Sequence, residues 1–430
     1  MTHQNVHRTY LLALVDGGGT VPPELGIVRR LVDRGHHVTV LAEDSMADDV
    51  RSTGATLRPW TNAPNRPTRR EEHDPYRDWE CKKPADLLRR MMDAQLVGPA
   101  RDYATDVAAA IDERRPDLIL CSMFAYGAMI GAEAAGIPFD VLMPNAYILP
   151  APGMPAFGIG AQPARGPLGR LRDRAVTAMG AREWNKGVPG LNAVRSELGL
   201  APVTTFFEQA HHARRQLVLT SRDFDFPAEV PANVRYVGPI LDDPAWTSTA
   251  EWQLPPGDDP LVLVALSSTF QDQVGCLQRI VDALGTIPVR GIVTTGPAVD
   301  PAAVSAPSNV TVVAAAPHSE ILREAAVVIT HGGHGTVVRT LAAGLPMAVL
   351  HHGRDQADNA ARVIGRGAGL KVRRTAKPER IAATVQRLLA DASYRTAAER
   401  LGASIRRDAD DSVLLAELES LPHQPSLCAH

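Results

Sequence analysis

Short apolar runs alternate with stretches of helical spacing along almost the whole chain. Leu11–Val15, Val38–Leu41, Leu118–Cys121 and Leu217–Thr220 lie in the first half. Leu261–Leu266, Gly291–Thr294, Asn309–Val313, Val327–Thr330, Met347–Leu350 and Gly369–Val372 lie in the second. Near-continuous apolar runs of this length suit parallel strands covered by helices on both faces. After the first run, Leu25, Val28, Leu31 and Val32 recur at helical spacing; Pro22-Pro23 suits a first turn and Gly35 a C-cap. The unit is strand–helix–strand, which requires a right-handed crossover. The expected class is α/β, with two doubly wound Rossmann-like domains and a cleft between them.

The boundaries follow from where the alternation lapses. Residues 1–222 form an N-terminal acceptor-binding domain in this reading. Residues 223–258, with Pro227, Pro231, Pro239, Pro244, Pro255 and Pro256, form a linker. Residues 259–400 form a C-terminal donor-binding domain. Residues 401–430 form a helix that packs back on the N-terminal domain, and a tail. Two polar, irregular stretches, 60–80 and 150–169, are expected to line the site, as long loops often do.

Charge and cysteine usage exclude several classes. Lys+Arg total 45 and Asp+Glu 48, a net charge of −3, which argues against a general nucleic-acid binder. The four cysteines, Cys81, Cys121, Cys276 and Cys428, form no CxxC pair, so neither a zinc site nor a disulfide framework is expected. A membrane span needs roughly 20 apolar residues. The most apolar stretch, Leu118–Met143, is interrupted by Glu133, Pro138 and Asp140. The expectation is a cytoplasmic protein, monomeric or homodimeric, without stable membrane insertion.

The sharpest chemical signal follows the run ending at Thr330: His331-Gly332-Gly333-His334-Gly335-Thr336. Glycines let backbone N–H groups approach an anion, and a helix N-terminus adds a favourable dipole. Thr336 adds a hydroxyl donor and His331 an imidazole, an arrangement suited to a diphosphate. After the next strand, Asp355-Gln356 sets a carboxylate beside an amide, a pair able to bind vicinal sugar hydroxyls. The histidines near this loop lack the carboxylate or thiolate that would complete a ligand set, so no metal is expected. Asp408-Ala409-Asp410 spells DxD, but in a polar helix it reads as a solvated charge run. The Gly17-Gly18-Gly19 loop fails the dinucleotide pattern at Pro22.

Together the HGGHGT and DQADNA segments resemble the inverting nucleotide-sugar glycosyltransferases of family one, with the GT-B two-domain fold. Ser267-Ser268-Thr269-Phe270 resembles that family's strand-end loop over the diphosphate, and Ala316-Pro317-His318 its loop near the base. Gly19 to His36 resembles its first strand–helix unit. The resemblance implies donor-binding roles for Ser268, Thr269, His318, His331, Gly333, His334, Gly335, Thr336, Asp355 and Gln356. It implies a UDP- or dTDP-linked sugar as co-substrate, a small-molecule acceptor, and no further cofactor.

The chain departs from that family at the catalytic dyad. Where a general-base His is usual stands Thr20, and where its partner Asp is usual stands Ser122. Asp16, at the tip of the first strand, is the nearest alternative base, followed by His73. The expected function is inverting transfer of a sugar to a small, largely apolar acceptor, possible with a weak base if the acceptor is a phenol. Two other readings fit the same residues: a non-catalytic or auxiliary nucleotide-sugar-binding protein, and a nucleotide-sugar epimerase of the same fold.

Overall fold

The computed structural model describes residues 7–81, 83–244, 247 and 251–421. The first sheet contains β1 (Thr9–Ala13), β2 (His37–Ala42), β3 (Thr56–Pro59), β4 (Leu118–Ser122), β5 (Phe139–Met143), β6 (Arg215–Val218) and β7 (Val234–Tyr236). The second contains β8 (Leu261–Ala265), β9 (Arg290–Thr294), β10 (Val310–Val313), β11 (Ala325–Thr330), β12 (Met347–Val349) and β13 (Gly369–Lys371). Their orders are β3-β2-β1-β4-β5-β6-β7 and β10-β9-β8-β11-β12-β13, with parallel pairing in both. Each order reverses at its first strand, between β1 and β4 and between β8 and β11. Ligands of open α/β sheets bind beyond the strand C-termini at such switch points.

The central strands are buried because both faces are covered. Every residue of β4 and of β8 is buried. Leu11, Ile119 and Val141 face one core of the first sheet, while Leu12, Leu118 and Leu142 face the other. The side-chain period of two produces that division.

The structure explains the apolar stretch Leu118–Met143 without a membrane. It is β4, the helix Tyr126–Ala134, and β5. Gly127 and Gly131 let that helix touch Ala100–Glu113: a Cβ on Gly127 would lie 2.0 Å from the Ala100 carbonyl oxygen. No described helix is long and apolar enough to cross a membrane.

Two differences from the sequence reading concern segment ends. Strand β7 falls inside residues 223–258, so part of the expected linker completes the first sheet. The C-terminal region also divides. The helix Ala392–Asp410 packs on the second sheet's layer through Ala398, Leu401 and Ile405, whereas Leu414 and Leu418 of the next helix join Tyr10 and Leu12 in the first. The chain therefore reaches back to the N-terminal half at the end of this helix, where Asp408 meets Ser221, and continues along it in the next. Its tail from residue 422, including Cys428, lies outside the described residues.

Candidate active site

The loops after β8 and β11 meet at the switch point of the second sheet. Gly332 follows β11 with φ 95°, and its N–H donates to Thr330 Oγ1 at 3.1 Å. A Cβ there would lie 2.8 Å from Val349 Cγ1. Glycine thus lets the chain turn tightly into the helix His334–Ala342. Gly333 is its N-cap and has no side chain to cap the first turn, so the helix-end N–H groups receive no side-chain cap. Gly333, Gly335 and Thr336 are half-buried at that end. Burial holds the His331 imidazole down at about 3, so it is neutral and keeps one N–H to donate.

The neighbouring candidates divide. Thr269 is buried; its N–H donates to Ser267 Oγ at 3.2 Å, while Ser268 stays half-buried. His318 Nε2 lies 2.9 Å from Thr294 Oγ1, and burial lowers its pKa to about 4. His334 turns away: its Nε2 lies 2.9 Å from Thr220 Oγ1, and its ring meets Phe224 edge-on. Only its backbone is left for a ligand.

Asp355 and Gln356 also have different duties. Gln356 is 2% exposed. Its Oε1 accepts from the His352 and Gly353 N–H groups at 2.7 and 3.1 Å, and its Nε2 donates to Gln271 Oε1 at 2.9 Å. This amide braces the loop through its oxygen and one of its two N–H donors. Asp355 accepts from Asn359 Nδ2 at 2.8 Å and lines an inter-domain cavity with Asn145, Tyr147 and Met154. Asn145 Oδ1 and Tyr147 Oη are buried there without a partner among the described residues. Sequence reasoning misses both, because a lone Asn and Tyr after a strand carry no spacing signal.

On the opposite side, the loop after β1 holds Asp16 and Thr20. Asp16 is not placed to act as a base. Its Oδ2 accepts from Arg69 Nε at 2.7 Å and Ser45 Oγ at 3.0 Å, and its Oδ1 from the Gly18 N–H at 2.9 Å. Burial alone would raise its pKa, but the Arg69 and Arg66 guanidiniums outweigh burial and hold it below the usual carboxylate range. Arg66 also donates to Glu43 at 2.7 Å. The loop 60–80 is therefore anchored on Asp16. His73, in that same loop, is bound at 2.7 Å by Thr68 Oγ1.

Near Ser122 lies a residue that sequence reasoning passes over. Glu24 lies one helical turn beyond Thr20 and is fully buried. The Oγ1 of Thr20, both carboxyl oxygens of Glu24 and Ser122 Oγ are buried without hydrogen-bond partners among the described residues. The available signal is an acidic residue inside an otherwise apolar helix face.

The halves meet across this site. A Cβ on Gly18, whose φ is 73°, would lie 2.5 Å from Thr269 Cγ2. Arg354, with φ 56°, donates from Nε to Asp78 Oδ2 at 2.7 Å and from Nη1 to Thr269 Oγ1 at 3.1 Å. Asp358 accepts from the Gly158 and Gly160 N–H groups at 2.6 and 2.8 Å. Both irregular stretches thus reach the cleft. Among the described residues no cluster of His, Cys, Asp and Glu has the geometry of a metal site. Asp408 instead accepts from Ser221 Oγ at 2.6 Å.

Two Rossmann-like halves joined across their switch points define the GT-B architecture. Known proteins agree. Residues 278–417 match the erythromycin biosynthesis protein CIII-like, C-terminal domain. The chain is 30% identical over 377 residues to the oleandomycin glycosyltransferase of Streptomyces antibioticus, covering 86% of this chain and 81% of that one. It is 27% identical over 399 residues to the 4'-demethylrebeccamycin synthase of Lentzea aerocolonigenes, covering 91% and 94%. The solved glycosyltransferase of kitacinnamycin shares the fold, with TM-score 0.75 at 24% identity over 96% of this chain and 98% of that one. The chain belongs to the family-one GT-B glycosyltransferases of natural-product biosynthesis, enzymes that move a sugar from a nucleotide sugar.

Proposed function

We propose that the enzyme is inverting and metal-independent. Its donor is a UDP- or dTDP-linked sugar, and its acceptor a small, largely apolar molecule bearing a phenol or similar hydroxyl. The observation that carries this reading is the helix end at Gly333–Thr336, which has no side-chain cap and follows β11, the strand paired with β8, whose next loop meets the β1 loop at Thr269 and Gly18. The diphosphate lies on the N–H groups of Gly335 and Thr336, with the Thr336 hydroxyl and neutral His331 donating to it. Donors already oriented in a water-poor site stabilise the leaving diphosphate without a cation. The sugar extends toward Asp355, Asn145 and Tyr147. The acceptor enters beside Thr20, bounded by the loops 60–80 and 150–169.

Displacement is direct. The acceptor oxygen attacks the anomeric carbon as the bond to the diphosphate oxygen breaks and its electron pair leaves with the phosphate. A threonine hydroxyl is no base at neutral pH, so Thr20 orients the acceptor. A phenol surrenders its proton more easily than an aliphatic alcohol. The test is calorimetry with UDP and dTDP, followed by transfer to a panel of phenols and aliphatic alcohols. Binding of either diphosphate together with transfer to phenols supports the reading. Loss of both sinks it, and binding without transfer or donor turnover marks an auxiliary binding protein.

A further inference from the structure

We propose that the helix Gly166–Trp184, with the loop leading into it, docks the enzyme on the surface of an anionic lipid bilayer. The inference goes beyond the glycosyl-transfer reading, and its test does not depend on transfer. Its basis is where the exposed apolar side chains fall. Seven large apolar residues are exposed among the described residues, and five of them, Phe157, Ile159, Leu168, Leu171 and Met179, lie between residues 157 and 179. Single exposures scattered over a surface are ordinary, whereas a concentration of this kind marks an interaction site.

The helix shows how the stripe is built. None of its 19 residues is buried. Leu168, Leu171, Ala175 and Met179 follow one another at steps of three and four, so they share one face. Leu168 is 83% exposed, Leu171 64% and Met179 63%. Asp173, Val176 and Gly180, on the other side, are half-buried. The apolar stripe is therefore the side turned away from the protein.

Charge decides the occupant. The helix and its N-cap carry Arg165, Arg170, Arg172, Arg174 and Arg182 against Asp173 and Glu183, in a chain of net charge −3. Both acids are engaged. Asp173 accepts from Arg172 Nε at 2.9 Å and from the Ala164 N–H at 3.2 Å, and Glu183 pairs with Lys186. Arg170, Arg174 and Arg182 are exposed and have no carboxylate within ion-pairing distance among the described residues. The exposed face is thus aliphatic and basic. An acidic protein would answer the charge, but it would also need pockets fitted to separate protruding side chains. The headgroup boundary of an anionic bilayer answers both without a preformed shape. Aliphatic side chains enter it, and arginines reach the phosphates while their stems lie along the apolar region.

The surface runs on into the cleft. Phe157 and Ala161 line the cavity that holds Asn145 and Asp355, and Ala161 also borders a groove formed with Arg165, Gly169 and Arg172. Docking would bring that cavity beside the phase in which an apolar acceptor dissolves; this consequence alone rests on the transfer reading.

The test is co-sedimentation of the full chain with vesicles of phosphatidylcholine alone and of phosphatidylcholine with about one-third phosphatidylglycerol. The wild type should bind the anionic vesicles and leave the neutral ones. Raising NaCl to about 0.5 M, which shortens screening to about 4 Å, should release it. Arg170→Gln with Arg174→Gln and Arg182→Gln should weaken binding by about 100-fold, about fivefold for each arginine. Leu171→Ser with Met179→Ser should weaken it by about tenfold or more. Both variants should unfold at the wild-type temperature, because all five residues are exposed. No binding to anionic vesicles overturns the proposal, and so does undiminished binding by either variant. Sedimentation velocity without lipid reads one rival occupant: a dimer that Leu171→Ser with Met179→Ser abolishes would assign the face to a second copy and overturn the lipid reading. Retention on polyglutamate without vesicle binding would overturn it in favour of an acidic protein. None of these readouts uses transfer, so an inactive enzyme leaves the result standing.

Discussion

Arg354 of the donor half holds Asp78 of the acceptor half at 2.7 Å, directly across the cleft. The same arginine reaches Thr269 Oγ1, and it does so from a left-handed backbone conformation that a non-glycine residue adopts at a cost. Its partner sits at the end of the loop 60–80, where Trp79 also meets Phe270 edge-on at 5.0 Å. Asp78→Ala should therefore loosen closure and raise the donor KM by about 5–10-fold, the effect of about 1–1.4 kcal/mol. Arg354→Ala should act alike, and the double variant should cost less than the sum. Additive effects in the cycle would show that the pair does not hold the cleft.

Thr336→Ala should weaken UDP or dTDP binding by about 1–3 kcal/mol, the loss of one charge-assisted hydrogen bond. Thermal stability should hardly change, because Thr336 is half-buried at a helix end. Calorimetry reads the first quantity and thermal unfolding the second. Unchanged affinity would remove Thr336 from the donor site.

Gly18→Ala should impair transfer by separating the halves, because the new methyl would meet Thr269 Cγ2. Thr269→Ser removes that methyl and should restore part of the rate in the double variant. Full recovery is not expected, since φ 73° costs any L-residue roughly 1–2 kcal/mol. A Gly18→Ala enzyme with normal KM and kcat would mean the two loops separate freely during turnover.

Asp16→Asn should lower stability more than it alters the pH profile of transfer. Removing one partner of a buried ion pair typically costs about 3–5 kcal/mol. The folded pKa of Asp16 is depressed, so its stabilisation is present above the ordinary carboxylate range and is lost as pH falls through that lowered value. The wild type should lose stability over that acidic window, and Asp16→Asn should lose less there. Urea unfolding from pH 2.5 to 7 measures this. Loss of transfer activity with unchanged stability would return Asp16 to the list of bases.

The parallel order of the central strands is legible wherever an apolar run is covered on both faces, as in β4, β8 and β11. Strands β3 and β7 escape notice for a physical reason. Each lies at the edge of its sheet, and Arg58-Pro59 and Val234-Arg235-Tyr236 need not be apolar on both sides. The glycine-rich loop after β11 is equally legible, since backbone approach to an anion requires glycines at set positions.

Residue order alone therefore determines the two Rossmann-like halves, the strand tips that carry polar residues, and the absence of a histidine at position 20. Only the tertiary structure decides which polar groups are already occupied. Arg66 and Arg69 neutralise an aspartate some fifty residues earlier, Thr220 draws His334 out of the loop, and Gln271 takes the amide of Gln356. Glu24 receives no such partner among the described residues. Pairing and desolvation depend on neighbours brought from far along the chain, and they set whether a carboxyl anchors a loop or is left buried without a cation.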